Sequence, residues 1–109
     1  MIRSGDLSKL VVFLAPFKET DANGKRIQRY EQRFSDWAHV RPLRGGEAVM
    51  QSRLASKGPA IVTIIFSAEG FQITSEWRVD IDGRVYDLKE DPREAQGGAV
   101  LEMLVERVG

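Results

Sequence analysis

The sequence predicts a small, mostly β domain, and three observations carry that prediction. Asp82 and Gly83 stand between alternating apolar residues, and an Asp-Gly pair in that setting is a strong hairpin signal. A type I′ turn needs positive φ at both central positions, which Asp tolerates and Gly adopts freely. Two apolar runs, residues 10–17 and 60–68, have the length of strands. No catalytic pattern surrounds these elements.

The composition limits the classes of protein to which the chain can belong. Its 109 residues support one domain, 1–109, and its 16 basic and 16 acidic side chains cancel. No global field therefore draws the chain to nucleic acid or to an anionic membrane. The lack of cysteine excludes disulfides, thiolate zinc sites and thiol nucleophiles. A polar start and a run too short to span a bilayer predict neither a signal peptide nor a membrane segment.

The first predicted strand is apolar on both faces. Its two alternating sets are Val11, Phe13 and Ala15 on one side and Leu10, Val12 and Leu14 on the other. An apolar face is stable only when it is buried, and burying both faces of this strand would take a core on each side of it. A domain of this size has little room for a second core. The second face is therefore covered either within the chain, as in a central strand, or by another subunit.

A turn at residues 21–24 leads into a long second strand, residues 25–40. Its alternation is imperfect near Phe34, which predicts a bulge or bend there, and Pro42 ends the strand because proline cannot donate to a ladder. Trp37 is expected to be a core or interface aromatic. His39, the only histidine, is flanked by apolar residues, and no nucleophile or orienting carboxylate is spaced to use it, so a structural role is expected.

An insert follows at about residues 44–58. Good helix formers lie between a Gly-Gly entry and a Gly58-Pro59 stop, and the apolar stripe of Val49, Met50 and Leu54 is thin, so a marginal helix is expected. The basic residues of the insert either contact phosphates or serve only as solubilising charge. These residues are Arg44, Arg53 and Lys57.

Beyond the insert, the sequence predicts the strand at 60–68, the hairpin and a loop at 91–98. The tail, residues 99–108, fits both a helical stripe and a strand face, and periodicity leaves both open. Acidic residues cluster around the hairpin but lack the spacing of a calcium loop, so solvated carboxylates are expected there and no metal or cofactor site.

Several motifs taken in order resemble those of the phage head–tail joining family, also called head-closure, stopper or adaptor proteins. The resemblance covers essentially the whole chain. It rests on Ile2-Arg3-Ser4-Gly5-Asp6-Leu7, Trp37-Ala38 with Pro42-Leu43, Trp77-Arg78-Val79, Gly83-Arg84-Val85-Tyr86-Asp87-Leu88 and Asp91-Pro92. The chain departs from the family pattern at Leu10, Val12 and Leu14, where relatives carry polar side chains, and this points to a tight neighbour contact.

The resemblance implies a small antiparallel β-barrel with the insert between strands 2 and 3, and it favours a closing strand for the tail. It implies a non-enzymatic component of a phage or gene-transfer-agent-like virion neck, made in the bacterial host cytoplasm. The chain would form a homo-oligomeric ring, a hexamer or dodecamer, with the portal or adaptor above, a tail terminator or tail protein below, and no membrane. The insert would approach packaged DNA through Arg44, Arg53 and Lys57.

The subunit interface expected on this basis combines the second face of the first strand with later apolar residues. It comprises Leu10, Val12, Leu14, Trp37, Met50 and Leu54. The competing hypothesis is a small β-barrel that binds a protein or ligand and has no connection with virions.

Overall fold

The computed structural model describes residues 6–43 and 58–108. Seven strands and two short 3₁₀ turns make up this part of the chain. The strands are β1 (Lys9–Thr20), β2 (Arg26–Pro42), β3 (Ala60–Ile65), β4 (Arg78–Ile81), β5 (Arg84–Leu88), β6 (Arg93–Ala95) and β7 (Val100–Arg107), and the turns are Gly70–Gln72 and Gln96–Gly98. The expected insert between β2 and β3 lies almost wholly outside the described residues.

The strands form one antiparallel sheet that curls back on itself. Their order is β3-β2-β1-β4-β5-β7-β6, and β3 also pairs with β7 along its whole length, so six strands close a ring of pairings. Closure removes most free strand edges, which would otherwise template aggregation. The prediction of a mostly β, antiparallel fold is confirmed.

The interior of the ring is filled by one face of each strand. Val11, Phe13 and Ala15 point inward from β1 and are buried, which decides between the two apolar sets of that strand. Phe13 stacks on Phe34 of β2 with ring centroids 5.0 Å apart, and Trp77 meets Phe34 edge-on at 6.5 Å. Trp77 thus belongs to the core.

The bulge expected near Phe34 is present in β2. Phe13 pairs with Phe34 and the next residue, Leu14, pairs with Gln32, so Arg33 is the extra residue. The hairpin also forms as predicted, with Asp82 at φ 54° and Gly83 at φ 84° between β4 and β5. Both turn residues occupy the left-handed region that a type I′ turn requires.

The tail is a strand. Leu101, Met103 and Val105 of β7 are buried in the core, while the residues between them face outward. β7 pairs with β3, β5 and β6. These partners are distant in sequence, and they select the strand over the helix that the same residues also allowed.

Two segments differ from their expected structure. The strand predicted at 60–68 ends at Ile65, because the Ser67 hydroxyl accepts a hydrogen bond from the Gly70 N–H at 2.9 Å at the start of a 3₁₀ turn. The predicted loop at 91–98 contains β6, since residues Arg93–Ala95 find partners on β7. Gly97 and Gly98, both at positive φ, allow the tight turn that follows.

Candidate assembly surface

Large apolar side chains meet on the outer surface of β1, β2 and β3. Leu10 and Trp37 are direct cross-strand partners, so their side chains share one face of the sheet. The β2–β3 ladder ends with Ala38 opposite Ile64, so Ile65 comes next to Trp37 in the same register. Leu10, Trp37 and Ile65 are 51%, 54% and 49% exposed, which is unusual for three neighbouring large apolar residues.

A shallow depression continues this surface. Leu7, Asp36, Trp37 and Ile65 line a volume of about 470 Å³, most of whose wall is apolar. We call Leu7, Leu10, Trp37 and Ile65 the apolar patch. Asp36 adds a local feature, since its Oδ1 accepts the Trp37 backbone N–H at 2.8 Å. That hydrogen bond satisfies the backbone N–H of Trp37, which lies one residue beyond the end of the β2–β3 ladder.

The remaining residues of the expected interface are distributed differently. Val12 and Leu14 point outward with Leu10 but are half-buried. Val12 lies between Ser35 and Asp80, and Leu14 between Gln32 and Arg78, so polar neighbours partly cover both aliphatic side chains. Met50 and Leu54 lie outside the described residues, as do the expected DNA-proximal residues Arg44, Arg53 and Lys57.

A second exposed aromatic group was not anticipated. Phe66 and Phe71 face each other with ring centroids 5.6 Å apart, and they are 39% and 63% exposed. Phe66 directly follows Ile65 of the apolar patch, and the 3₁₀ turn at Gly70–Gln72 brings Phe71 back to it. The sequence contains one sign of this aromatic pair: its apolar run continues to Phe66, whereas β3 ends at Ile65.

The acidic residues of the hairpin region have structural partners. Asp82 pairs with Lys9 at 2.7 Å, and Asp87 pairs with Arg78 at 2.8 Å. The Asp80 and Asp91 carboxylates accept backbone N–H groups of Gly83 and Ser75. Within residues 6–43 and 58–108, no group of three His, Cys, Asp or Glu side chains is arranged to hold a metal ion.

His39 is half-buried on β2, opposite Thr63 of β3. It lines a polar depression of about 300 Å³ together with Arg41, Arg93 and Glu102. No hydrogen bond or ion pair joins His39 to another described residue, so no orienting carboxylate of the kind that a catalytic imidazole requires is in place there. The structural role expected for His39 stays a prediction.

The comparisons with known proteins identify the family. A model of the phage head completion protein family matches residues 2–108. The chain belongs to this family. No curated protein sequence matches it.

Two solved structures have the same fold as this head completion family member. A solution structure of protein SF1141 from Shigella flexneri 2a superposes with a TM-score of 0.74 at 19% identity, over 97% of this chain and 96% of that one. A chain from the virion of a native gene transfer agent particle superposes with a TM-score of 0.61 at 17% identity, over 91% and 93% of the two chains. At these identities the likeness establishes the fold.

Across the described ranges, no helix combines the length and hydropathy that a membrane span requires.

Proposed function

We propose that this protein is a structural component of a virion neck that closes the DNA-filled head and joins it to the tail. The match to the phage head completion family over residues 2–108 is the observation that carries the proposal. A structural neighbour in a gene transfer agent virion supports it, because a chain of the same fold is part of that particle.

The proposed assembly is a homo-oligomeric ring, a hexamer or dodecamer, between the portal or adaptor and a tail terminator or tail protein. The apolar patch supports a contact with a neighbouring subunit. Leu10, Trp37 and Ile65 form an exposed apolar row on a sheet, and such a row promotes aggregation unless a partner covers it. We assign Val12 and Leu14 to the margin of this contact, and Met50 and Leu54 to the part contributed by the insert.

The insert is proposed to face the channel of the ring. Arg44, Arg53 and Lys57 would contact phosphates there without reading bases, which gives sequence-independent and salt-sensitive holding of DNA. The chain has no net charge, so free monomers would bind DNA weakly. A ring multiplies each weak contact by presenting many copies at high local concentration.

Imaging of particles that lack this protein tests the proposal. A neck component predicts heads that package DNA and then leak it, together with free tails. Particles that retain DNA and carry tails without this protein would contradict the assignment and favour a binding module with no role in the virion. Re-expression of the protein in the same cells should restore joined particles, which excludes an effect of the deletion on neighbouring genes.

A further inference from the structure

A two-stranded arm extends from the ring of strands. β4 pairs with β1 only at Val11–Leu14, and β3 pairs with β2 only at Ala38–Pro42. Residues 15–20 and 26–31 therefore pair only with each other among the described residues. We call these residues, with the turn between them, the arm. An isolated pair of strands is marginally stable in water, so an arm of this kind gains most from a partner.

The pairing of the arm shows which backbone groups face outward. The Asp21 N–H donates to the Lys25 carbonyl at 2.8 Å, so these two residues form a hydrogen-bonded pair at the end of the hairpin. Hydrogen-bonded and non-hydrogen-bonded pairs alternate along an antiparallel ladder. The non-hydrogen-bonded pairs are therefore Thr20 with Arg26, Lys18 with Gln28, and Pro16 with Tyr30. Both members of such a pair direct their backbone N–H and C=O groups away from each other.

The two edges of the arm differ in their capacity to bind another strand. On the β1 edge, Pro16 has no N–H to offer, which blunts that edge. On the β2 edge, Arg26, Gln28 and Tyr30 present three consecutive outward N–H groups on a regular strand without proline. The β2 edge is thus the one that can accept a further strand.

The arm also carries cations without partners. Arg29 forms an ion pair with Glu19 inside the arm. Lys18, Lys25 and Arg26 are exposed, and none of them forms an ion pair with another residue in the described ranges. Residues 15–31 carry four basic and three acidic side chains, so the arm has a small excess of positive charge on a chain whose formal net charge is zero.

Complementary features occur around β6. This strand pairs with β7 alone, so its other edge is open among the described residues. Residues 90–102 carry four carboxylates, Glu90, Asp91, Glu94 and Glu102, and a single basic side chain, Arg93. Glu94, on β6 itself, forms no ion pair with any described residue. Glu102 lies on β7, opposite Arg93.

The arm and β6 of one chain are too far apart to meet. Arg93 of β6 pairs with Glu102 of β7, which pairs on its other side with Thr63 of β3. Thr63 in turn pairs with His39 of β2, so His39 is the residue of β2 level with β6. From His39 to Arg26 the strand extends by about 40 Å at ~3.3 Å per residue. Two open strand edges that cannot pair within one molecule, one with Lys25 and Arg26 and the other with Glu94, are suited to pairing between two molecules.

We propose that the β2 edge of the arm, residues 26–30, pairs with the open edge of β6 in a second copy of this chain. Backbone hydrogen bonds extend the sheet across the contact, and the basic residues Lys25 and Arg26 lie near Glu94 of that copy. The contact joins two different surfaces, so it is head-to-tail and generates a ring when the rotation closes. This inference rests on the proposed homo-oligomeric ring and names one of its contacts.

Cross-linking in assembled particles tests the proposal, because the chain has no native cysteine. Particles carrying both Gln28→Cys and Glu94→Cys are treated with a short bismaleimide, and each single variant serves as a control. A ladder of covalent oligomers in the double variant, absent from both single variants, supports the contact. Particles that contain the protein and yield no ladder overturn this inference and leave the neck assignment standing. Particles that never contain the protein overturn both.

Two further sets of variants separate pairing from general loss of folding. Arg26→Glu and Glu94→Arg should each reduce incorporation into particles about tenfold or more, since like charges then meet across the contact. The two substitutions together should restore incorporation, which a merely misfolded arm would not do. Gln28→Pro removes one outward N–H and should impair incorporation, whereas Gln28→Ala should not. Equal behaviour of the Pro and Ala variants would contradict edge pairing.

Discussion

Leu10 on β1 and Trp37 on β2 lie directly opposite each other on the outer face of the sheet, and each is about half exposed. Cross-strand pairs of this kind stabilise a sheet when they are covered. Here the pair continues into Ile65 of β3 and forms the centre of the apolar patch.

Replacing both Leu10 and Trp37 with Ser should abolish assembly and leave the monomer folded. Both side chains are only half buried, so the free energy of unfolding should fall by about 1–2 kcal/mol per site, less than truncation of a core residue costs. Urea denaturation and incorporation into particles are the measurements. Val85→Ser is the matched control, since Val85 is also exposed but lies on β5. A control variant that assembles as poorly as the double variant would contradict a specific role for the patch.

Val12→Lys should likewise keep the monomer folded and prevent ring or neck formation. Val12 faces outward between Ser35 and Asp80, so the lysine stem can lie along the sheet while its ammonium group reaches water. Circular dichroism and sedimentation velocity distinguish the two effects. Unfolding of the monomer would instead place Val12 in the ordinary core.

Phe13→Ala should destabilise the domain by about 3–5 kcal/mol, because it leaves a cavity beside Phe34 in a close-packed interior. The free energy of unfolding in urea measures the loss. Phe71→Ala removes the same number of atoms from a residue that is 63% exposed and should cost far less. Similar losses in the two variants would mean that the Phe66–Phe71 pair is itself a buried packing element.

Gly83→Ala should cost about 1–2 kcal/mol through backbone strain alone. Gly83 has φ 84°, and a Cβ built there meets no atom within 4 Å, so no steric clash contributes. Asp82→Asn is the control, since Asn suits the same turn and only the exposed ion pair with Lys9 is lost. Thermal unfolding of both variants measures the difference, and an unchanged Tm for Gly83→Ala would argue against the type I′ turn.

Replacing Arg44, Arg53 and Lys57 with Ser should leave heads joined to tails but alter DNA retention or release. The expected reason is loss of phosphate contacts in the channel, which are salt-sensitive and independent of sequence. Release of DNA from purified particles across a range of salt is the measurement. Unchanged retention at every salt concentration would mean that the insert acts sterically or contacts protein.

The sequence predicts local features of this fold well and distant pairings poorly. The Asp82-Gly83 hairpin and the bulge beside Phe34 were predictable because turn chemistry and broken alternation are local. The tail allowed two structures, and pairing of β7 with β3 across the whole chain selected one of them. β6 was missed for the same reason, since its three residues are a strand only through β7.

The assembly surface was partly predictable for a related reason. Two apolar faces on β1 left open whether the second is covered within the chain or by another subunit, and in the described structure Leu10 on that face is 51% exposed. The contribution of Ile65 depends on the register between β2 and β3, which no sequence pattern encodes. Phe71 reaches the surface through a 3₁₀ turn whose residues carry no periodic signal.

The extra residue at Arg33 has a consequence for how this protein can diverge. Side chains alternate strictly along a strand, so a one-residue bulge inverts the two faces of everything beyond it. Tyr30 owes its position beside the Arg78 guanidinium, 4.1 Å from the ring centroid, to that inversion. A lineage that lost this single codon would join Gln32 directly to Phe34, keep every pair from Leu14–Gln32 to Thr20–Arg26, and present the same side chains on each face of the arm. The bulge is thus a position at which β2 tolerates a change of one residue in length without a change in the surface of the arm.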